Sequence, residues 1–306
     1  MCIDYRELNS VTVKDAFPIP RIDDLLDKLK DAHCISHIDL QQGYYQLRVT
    51  DSSTTKHCTA FQGPNNTLLQ YRVMPFGLCN APASFQRAMQ AVLAPVLGKF
   101  AIVYLDDICI FSRTPEDHLE HCRIVLQLLQ KHHLFGKLSK CFWGRRELNY
   151  LGVIAGGGHI RPDPAKVRAV RDWPLPTTQK QAKSFVQFCS YYRRFVHHFS
   201  DCSAPLTSMT KKGMPTIVVW SAESLLAFEI LKARMTAAPV LVLHETRSIA
   251  KFVLVTDVSN LGIGAVLLHD QGRGLHPVEY YARKLNSAEV PYIMLMILRL
   301  WLLLLQ

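Results

Sequence analysis

The spacing of apolar positions divides the chain into alternating helical and extended stretches. Between residues 21 and 30, Ile22, Leu25, Leu26 and Leu29 recur at helical spacing, with Pro18 and Pro20 just before them. Residues 34–40 form a short, partly apolar run suited to a strand that ends at Asp39, and Gly43 allows a turn beyond it. Residues 74–82 read as a loop feeding a helix. Asn80 is placed to cap that helix, Pro82 suits its first turn, and Phe85, Met89, Val92 and Leu93 continue it. The sharpest pattern lies at 100–112. Two apolar runs, 100–104 and 108–111, are joined through Leu105, Asp106 and Asp107, which predicts a β-hairpin with carboxylates at its tip.

A helix is expected over 115–133, then a basic stretch to Lys140. Residues 147–160 predict a second hairpin with Gly156, Gly157 and Gly158 at its turn. Past Arg161-Pro162-Asp163-Pro164 the texture becomes helical and basic, with helices over 164–173 and 178–199 split at Trp173-Pro174-Leu175-Pro176. A further unit starts at Thr216, with a helix over 222–236 and strands over 252–256 and 264–269. Residues 293–305 are very apolar, but Arg299 interrupts them and a membrane span needs about 20 apolar residues. They read as a buried helix.

Composition narrows the class. The 306 residues have room for two or three domains, and 49% hydrophobic with 20% charged residues describes a folded chain rather than a disordered one. The net charge of +10 points to an anionic partner, of which nucleic acid is the commonest large one; a solvated basic surface is the alternative. None of the nine cysteines forms a C-x2-C pair, which argues against a zinc ribbon and for mostly buried thiols in a reducing compartment. No secretory signal opens the chain, and residues 1–6 read as the middle of a domain.

Three acids carry the candidate chemistry. Asp39 ends one strand, and Asp106 and Asp107 sit at a hairpin tip, so adjacent strands can bring them together. Two-metal phosphoryl transfer needs carboxylates converging on ions about 3.5–4 Å apart, and magnesium keeps several waters, so two or three aspartates suffice. A carboxylate pair in apolar surroundings is costly unless a cation compensates it. The plainer alternative is an Asp-Asp β-turn with no metal.

Tyr104-Leu105-Asp106-Asp107 matches the YxDD box of reverse transcriptases, and the order of further motifs makes the resemblance specific. Residues 3–9 (IDYRELN) resemble the family's fingers segment, 37–44 (HIDLQQGY) its first aspartate box, and 73–82 (VMPFGLCNAP) its template and nucleotide loop. Leu138-Ser139-Lys140-Cys141 and Tyr150-Leu151-Gly152 follow in the expected order, and Tyr191-Tyr192-Arg193-Arg194-Phe195 resembles a segment typical of the gypsy-type branch. The chain is thereby identified as a member of the gypsy-type long-terminal-repeat retrotransposon Pol family.

This resemblance implies an α+β fold: a right-hand polymerase with partial fingers and palm over 1–160, a helical thumb or connection over 161–215, and the N-terminal part of a ribonuclease H-like α/β domain over 216–306. It implies RNA-directed DNA polymerase activity, with Asp39, Asp106 and Asp107 holding two magnesium ions, or manganese, and the Leu40 backbone beside the triphosphate. Tyr44 matches the aromatic gate beneath the sugar, and Phe76 and Gly77 the loop lining the nucleotide pocket. Ordinary packing for Tyr44 and a simple turn for Gly77 are the bland readings. Lys140 is the candidate to protonate pyrophosphate, or else a solvated lysine. Lys180, Lys183, Arg193 and Arg194 could follow a phosphate backbone with Tyr191 and Tyr192 interleaved, or form a solvated face over core tyrosines.

Asp257 matches the first metal-binding aspartate of ribonuclease H, within Val255-Thr256-Asp257-Val258-Ser259, and residues 262–267 and 287–292 extend that match. The family's next catalytic glutamate falls on Leu298, and later ligands lie past residue 306, so no ribonuclease H activity is expected. Basic fingertip residues that the family carries upstream of residues 2–4 are also missing, which is expected to weaken nucleotide binding. The implied partners are a primed RNA or DNA template, dNTPs, and the protease and integrase parts of the polyprotein, with no membrane. The implied location is cytoplasmic virus-like particles. The rival readings are a non-catalytic relic that binds nucleic acid and a metal-dependent nuclease.

Overall fold

The computed structural model describes residues 3–50, 57–237, 241–242, 252–258, 262–270 and 274–285. The chain divides into two units, Met1–Tyr150 and Leu151–Gln306. In the first, helices α1 (Arg6–Val11) and α2 (Ile22–Asp27) precede β1 (Cys34–Asp39). A short hairpin, β2 (Phe61–Gln62) and β3 (Leu68–Leu69), and helix α3 (Ala81–Leu93) lead to β4 (Ala101–Tyr104) and β5 (Asp107–Ser112). Helix α4 (Pro115–Lys131) and strands β6 (Phe142–Arg145) and β7 (Glu147–Tyr150) follow.

β1, β4, β5 and β6 form an antiparallel sheet in the order β4-β5-β1-β6. Its core is built by periodicity. Phe85, Met89 and Leu93, four residues apart on α3, are fully buried and pack with Val125 and Leu129 of α4 around Ile38, Ala101, Val103, Ile108 and Ile110 of the strands. Burial of each large apolar side chain contributes about 1.5–3 kcal/mol. Thr114 caps α4 by accepting the Asp117 amide, with Pro115 in the first turn and Glu116 and Asp117 favourable to the helix dipole. The strap after α4 is fixed to the end of β1: the Lys137 amide donates to the Asp39 carbonyl at 2.8 Å.

A buried polar chain joins β1, β5, α4 and β6. His118 lies between the hydroxyls of Ser36 (2.7 Å to Nε2) and Ser112 (2.9 Å to Nδ1), and Ser112 also meets His121 Nδ1 at 2.8 Å. The Gly144 amide and the Cys122 thiol both donate to Ser36 Oγ. Each buried polar group of this chain therefore has a partner, as burial demands.

In the second unit, β8 (Val153–Gly156) and β9 (His159–Pro162) make a hairpin, and β10 (Leu241–Val242) pairs with the other edge of β9. Gly157 and Gly158 turn that hairpin at φ +60° and +79°. Helices α5 (Pro164–Arg171), α6 (Gln179–Tyr191), α7 (Phe199–Met209) and α8 (Ala222–Thr236) follow, then the antiparallel meander β11 (Phe252–Val258), β12 (Gly262–Asp270) and β13 (Leu275–Lys284). Capping boxes start α6 at Thr178 and α8 at Ser221.

Two expectations are corrected. The single helix over 178–199 is broken: α6 stops at Tyr191, Arg193–Phe195 is a 3-10 turn, and His198 at φ +51° restarts the chain as α7. Tyr192, Arg194, Phe195 and Val196 are all buried, and a straight helix steps 100° per residue and cannot turn four such close neighbours to one face. The hairpin expected over 147–160 is centred later, at 153–162, because Leu151 and Gly152, at φ +49° and +80°, end β7 in a separate turn. Residues 287–292 and 293–305, with Leu298 and Arg299, and Ser259, lie outside the described residues. Among the described residues no helix is long and apolar enough to cross a membrane.

Candidate active site

Strand register decides where the acids fall. Asp39 is the last residue of β1 and pairs with Asp107, the first of β5. Asp107 in turn pairs with Tyr104 of β4, leaving Leu105 and Asp106 as a two-residue turn. All three aspartates thus share one end of the sheet, where directly opposed residues have Cβ atoms about 4.5–5.5 Å apart. The Leu40 amide donates to the Asp106 carbonyl at 3.1 Å and ties the turn to the end of β1.

The turn is strained and supported. Leu105 sits at φ +53°, a region that costs a non-glycine residue about 1–3 kcal/mol. Gln86, fully buried on α3, holds it: Oε1 accepts the Leu105 amide at 2.7 Å and Nε2 donates to the Val103 carbonyl at 3.3 Å. Nothing in the sequence reading singled out Gln86. The available signal was a polar residue beside Phe85 on the buried face of a helix.

Below the turn, a Cβ on Gly43 would lie 2.8 Å from the Phe85 ring and 3.3 Å from Asp106 Cβ, so only glycine fits there. Tyr44 packs between Phe76 (4.9 Å) and Phe85 (5.3 Å). Burial, then the Asp106 charge, raise its phenol above the ordinary range. Phe76 is half-exposed, and Gly77 follows at φ +96°. Asn9 spans this loop, donating to the Gly77 carbonyl and accepting the Cys79 amide, each at 2.8 Å. Asn80 does not cap α3, as the sequence suggested. Its carboxamide is used on the segment before α2, donating to the Val13 carbonyl and accepting the Asp15 amide.

Two basic side chains meet the acids. Lys140 Nζ lies 2.9 Å from Asp39 Oδ2, and His37 Nε2 lies 2.8 Å from Asp107 Oδ1. Among the described residues Asp106 has no such partner: burial raises its carboxyl above the usual range, the charges of Asp107 and Asp39 add to that, and its own amide and Lys140 oppose it. Hydrogen bonding to Asp39 raises the Lys140 ammonium above its ordinary value. Three hard oxygen donors with one carboxyl disfavoured as an anion suit a divalent cation chemically. Among the described residues no three acidic, histidine or cysteine side chains converge closely enough to hold one, and Asp39 and Asp107 meet Lys140 and His37.

The family model for reverse transcriptases (RNA-dependent DNA polymerases) matches residues 1–155 of the 306. The chain belongs to the reverse transcriptase family. A second model, for the RNase H-like domain found in reverse transcriptases, matches residues 220–297. The retrovirus-related Pol polyprotein from transposon 297 of Drosophila melanogaster is 40% identical over 290 residues, covering 95% of this chain and 26% of that protein. The transposon Tf2-3 polyprotein of Schizosaccharomyces pombe is 29% identical over 294 residues, covering 95% and 22%. The chain therefore spans about a quarter of the length of these relatives, and they agree with the gypsy-type branch read from the motifs. The foamy viral protease-reverse transcriptase dRH in complex with double-stranded DNA superposes with TM-score 0.82 at 22% identity, covering 94% of this chain and 49% of that one. The foamy viral protease-reverse transcriptase in complex with an RNA/DNA hybrid gives 0.78 at 21%, covering 94% and 38%. These confirm the fold. Reverse transcriptases as a family depend on divalent metals.

The second unit of this reverse transcriptase holds the remaining sequence-predicted positions. Lys180, Lys183 and Arg193 are exposed, whereas Arg194 is buried beside Phe195 and is not on their surface. Tyr192 is buried, whereas Tyr191 keeps much of its ring exposed beside Arg193. Their hydroxyls donate to the carbonyls of Leu151 and Gly152, the second at 2.9 Å, and bolt down the left-handed turn. Asp257 is largely exposed on β11, 3.8 Å from His198 Nε2, with Asp201 on the other ring nitrogen of that histidine at 3.3 Å.

Proposed function

We propose that this chain catalyses RNA- and DNA-templated DNA synthesis, adding dNTPs to a primer 3′-hydroxyl. The observation that carries the reading is the β1–β5 register, which sets Asp39 opposite Asp107 beside the turn residue Asp106. Asp39, Asp106 and Asp107 would hold two magnesium or manganese ions, which when bound activate the 3′-hydroxyl and neutralise the triphosphate. The chain's own groups orient the substrate. The Leu40 backbone faces the triphosphate, Tyr44 packs beneath the sugar and leaves no room for a 2′-hydroxyl, and Phe76 and Gly77 border the base. Lys140 supplies positive charge, and a proton, to the departing pyrophosphate. Lys180, Lys183 and Arg193 contact template or primer phosphates.

The division we assign is fingers and palm over 1–160, thumb or connection over 161–215, and a ribonuclease H-like part over 216–306. In that last part Leu298 stands where the resemblance calls for the second acid beside Asp257, which argues against nuclease activity there. The partners are a primed template and the protease and integrase parts of a Pol polyprotein, in cytoplasmic particles.

The test is primer extension on poly(rA) with oligo(dT), dTTP and magnesium. Wild-type extension is expected, and Asp106→Asn should lower the rate by roughly three orders of magnitude or more. Folded protein that binds the hybrid but extends nothing would replace this reading with that of a non-catalytic nucleic-acid-binding relic.

A further inference from the structure

The mismatch at the acid cluster has a specific cause. Three carboxylates share one sheet end in half-buried surroundings, and such a group needs a compensating cation. The chain provides one itself. Lys140 Nζ sits 2.9 Å from Asp39 Oδ2, and the strap that carries it is registered to β1 by the Lys137 amide on the Asp39 carbonyl and by the Leu40–Gly136 bridge. A Cβ on Gly136 would lie 3.0 Å from Ile38 Cγ2, so the strap runs as close to β1 as its backbone allows. Asp39 is mostly buried, with a side chain 17% exposed, while Lys140 is 56% exposed. The acid is therefore fixed, and the lysine is free to leave into solvent.

We propose that Lys140 is a built-in counter-cation that latches Asp39 before metal arrives and must be displaced for metal to bind. The inference rests on the reading of Asp39 as a metal ligand. An ammonium held against Asp39 Oδ2 repels a divalent ion brought to the same carboxylate, so the two compete. Displacement frees the ammonium beside the acids, where the proposed function puts the triphosphate. Metal binding is thus coupled to the release of a positive charge toward the substrate, and a metal-free enzyme keeps its acids compensated.

The measurement is Mn2+ binding to the full chain, followed by electron paramagnetic resonance at low ionic strength without nucleotide or template. Lys140→Met should bind Mn2+ about three- to tenfold more tightly than wild type. Lys140→Arg, which keeps charge and reach, should stay within about twofold of wild type, as should Lys137→Met, which removes a charge from the same strap. Equal or weaker binding by Lys140→Met overturns the proposal. So does equal tightening by Lys137→Met or Lys140→Arg, since a general loss of charge or of packing would then explain the effect. Asp106→Asn separates this failure from failure of the metal reading. If Mn2+ binds wild type and Asp106→Asn alike, the acid cluster is not the metal site and both ideas fall.

Discussion

At the scale of single residues, the turn that carries Asp106 depends on a side chain outside the acid cluster. Gln86 accepts the Leu105 amide and donates to the Val103 carbonyl from a fully buried position. Gln86→Leu keeps the volume roughly and removes the acceptor, leaving a half-buried N–H unpaired at a strained position. Denaturant titration should show a loss of about 1–3 kcal/mol, and primer extension should fall even at temperatures where the variant is fully folded. The aspartates were legible in the sequence, through two strands and a charged connection. Gln86, His37 and Asn9 were not. Each acts on a partner 17 to 70 residues away, and hydrogen bonds at such separations leave no periodic trace.

At the scale of elements, hydrophobic spacing predicted best where a helix presents one clean face. Phe85, Met89 and Leu93 made α3 legible in this way, whereas the helix read near 222–236 carries exposed Leu225 and Leu226 beside its buried positions and is opened by a Ser221 capping box that the sequence reading did not use. The α6–α7 break was not legible, because tertiary burial of Tyr192, Arg194, Phe195 and Val196 overrides local helix preference. The same tyrosines test the turn they hold. Tyr192→Phe deletes the hydrogen bond to the Gly152 carbonyl and leaves the ring in place, so equilibrium unfolding should register a loss of about 1 kcal/mol. Faster amide hydrogen exchange at residues 151–153 should accompany it.

At the scale of the molecule, the surplus of positive charge gives the proposed function a salt dependence. With Lys180, Lys183 and Arg193 exposed and a net charge of +10, affinity for a primed hybrid should fall steeply with salt. Lys180→Ala and Lys183→Ala should each reduce the slope of log affinity against log salt by about 1, read by fluorescence anisotropy across sodium chloride concentrations, without a change in sequence preference. Charge alone announced an anionic partner, but the buried Arg194 was indistinguishable from its exposed neighbour Arg193 until the chain's path through the turn was known.

The buried chain through His118 has a direction. Ser36 Oγ already receives the Gly144 amide and the Cys122 thiol, so its own hydrogen must point to His118 Nε2. His118 then carries its proton on Nδ1 toward Ser112, whose hydrogen goes on to His121. The chain thus forms a one-way circuit in which His118 carries one proton, and a second, on Nε2, sets two donors against each other at Ser36. Burial, with the neighbouring His121, lowers the affinity of His118 for that proton below the ordinary histidine value. The circuit's contribution is therefore complete above the unfolded value near 6.5 and is lost as pH falls toward the lowered folded one. Thermal midpoints should drop across mildly acidic pH in the wild type and flatten in His118→Gln. The sheet that carries the acids would then come apart by acid from its far side, at a lock some residues away from any nucleotide.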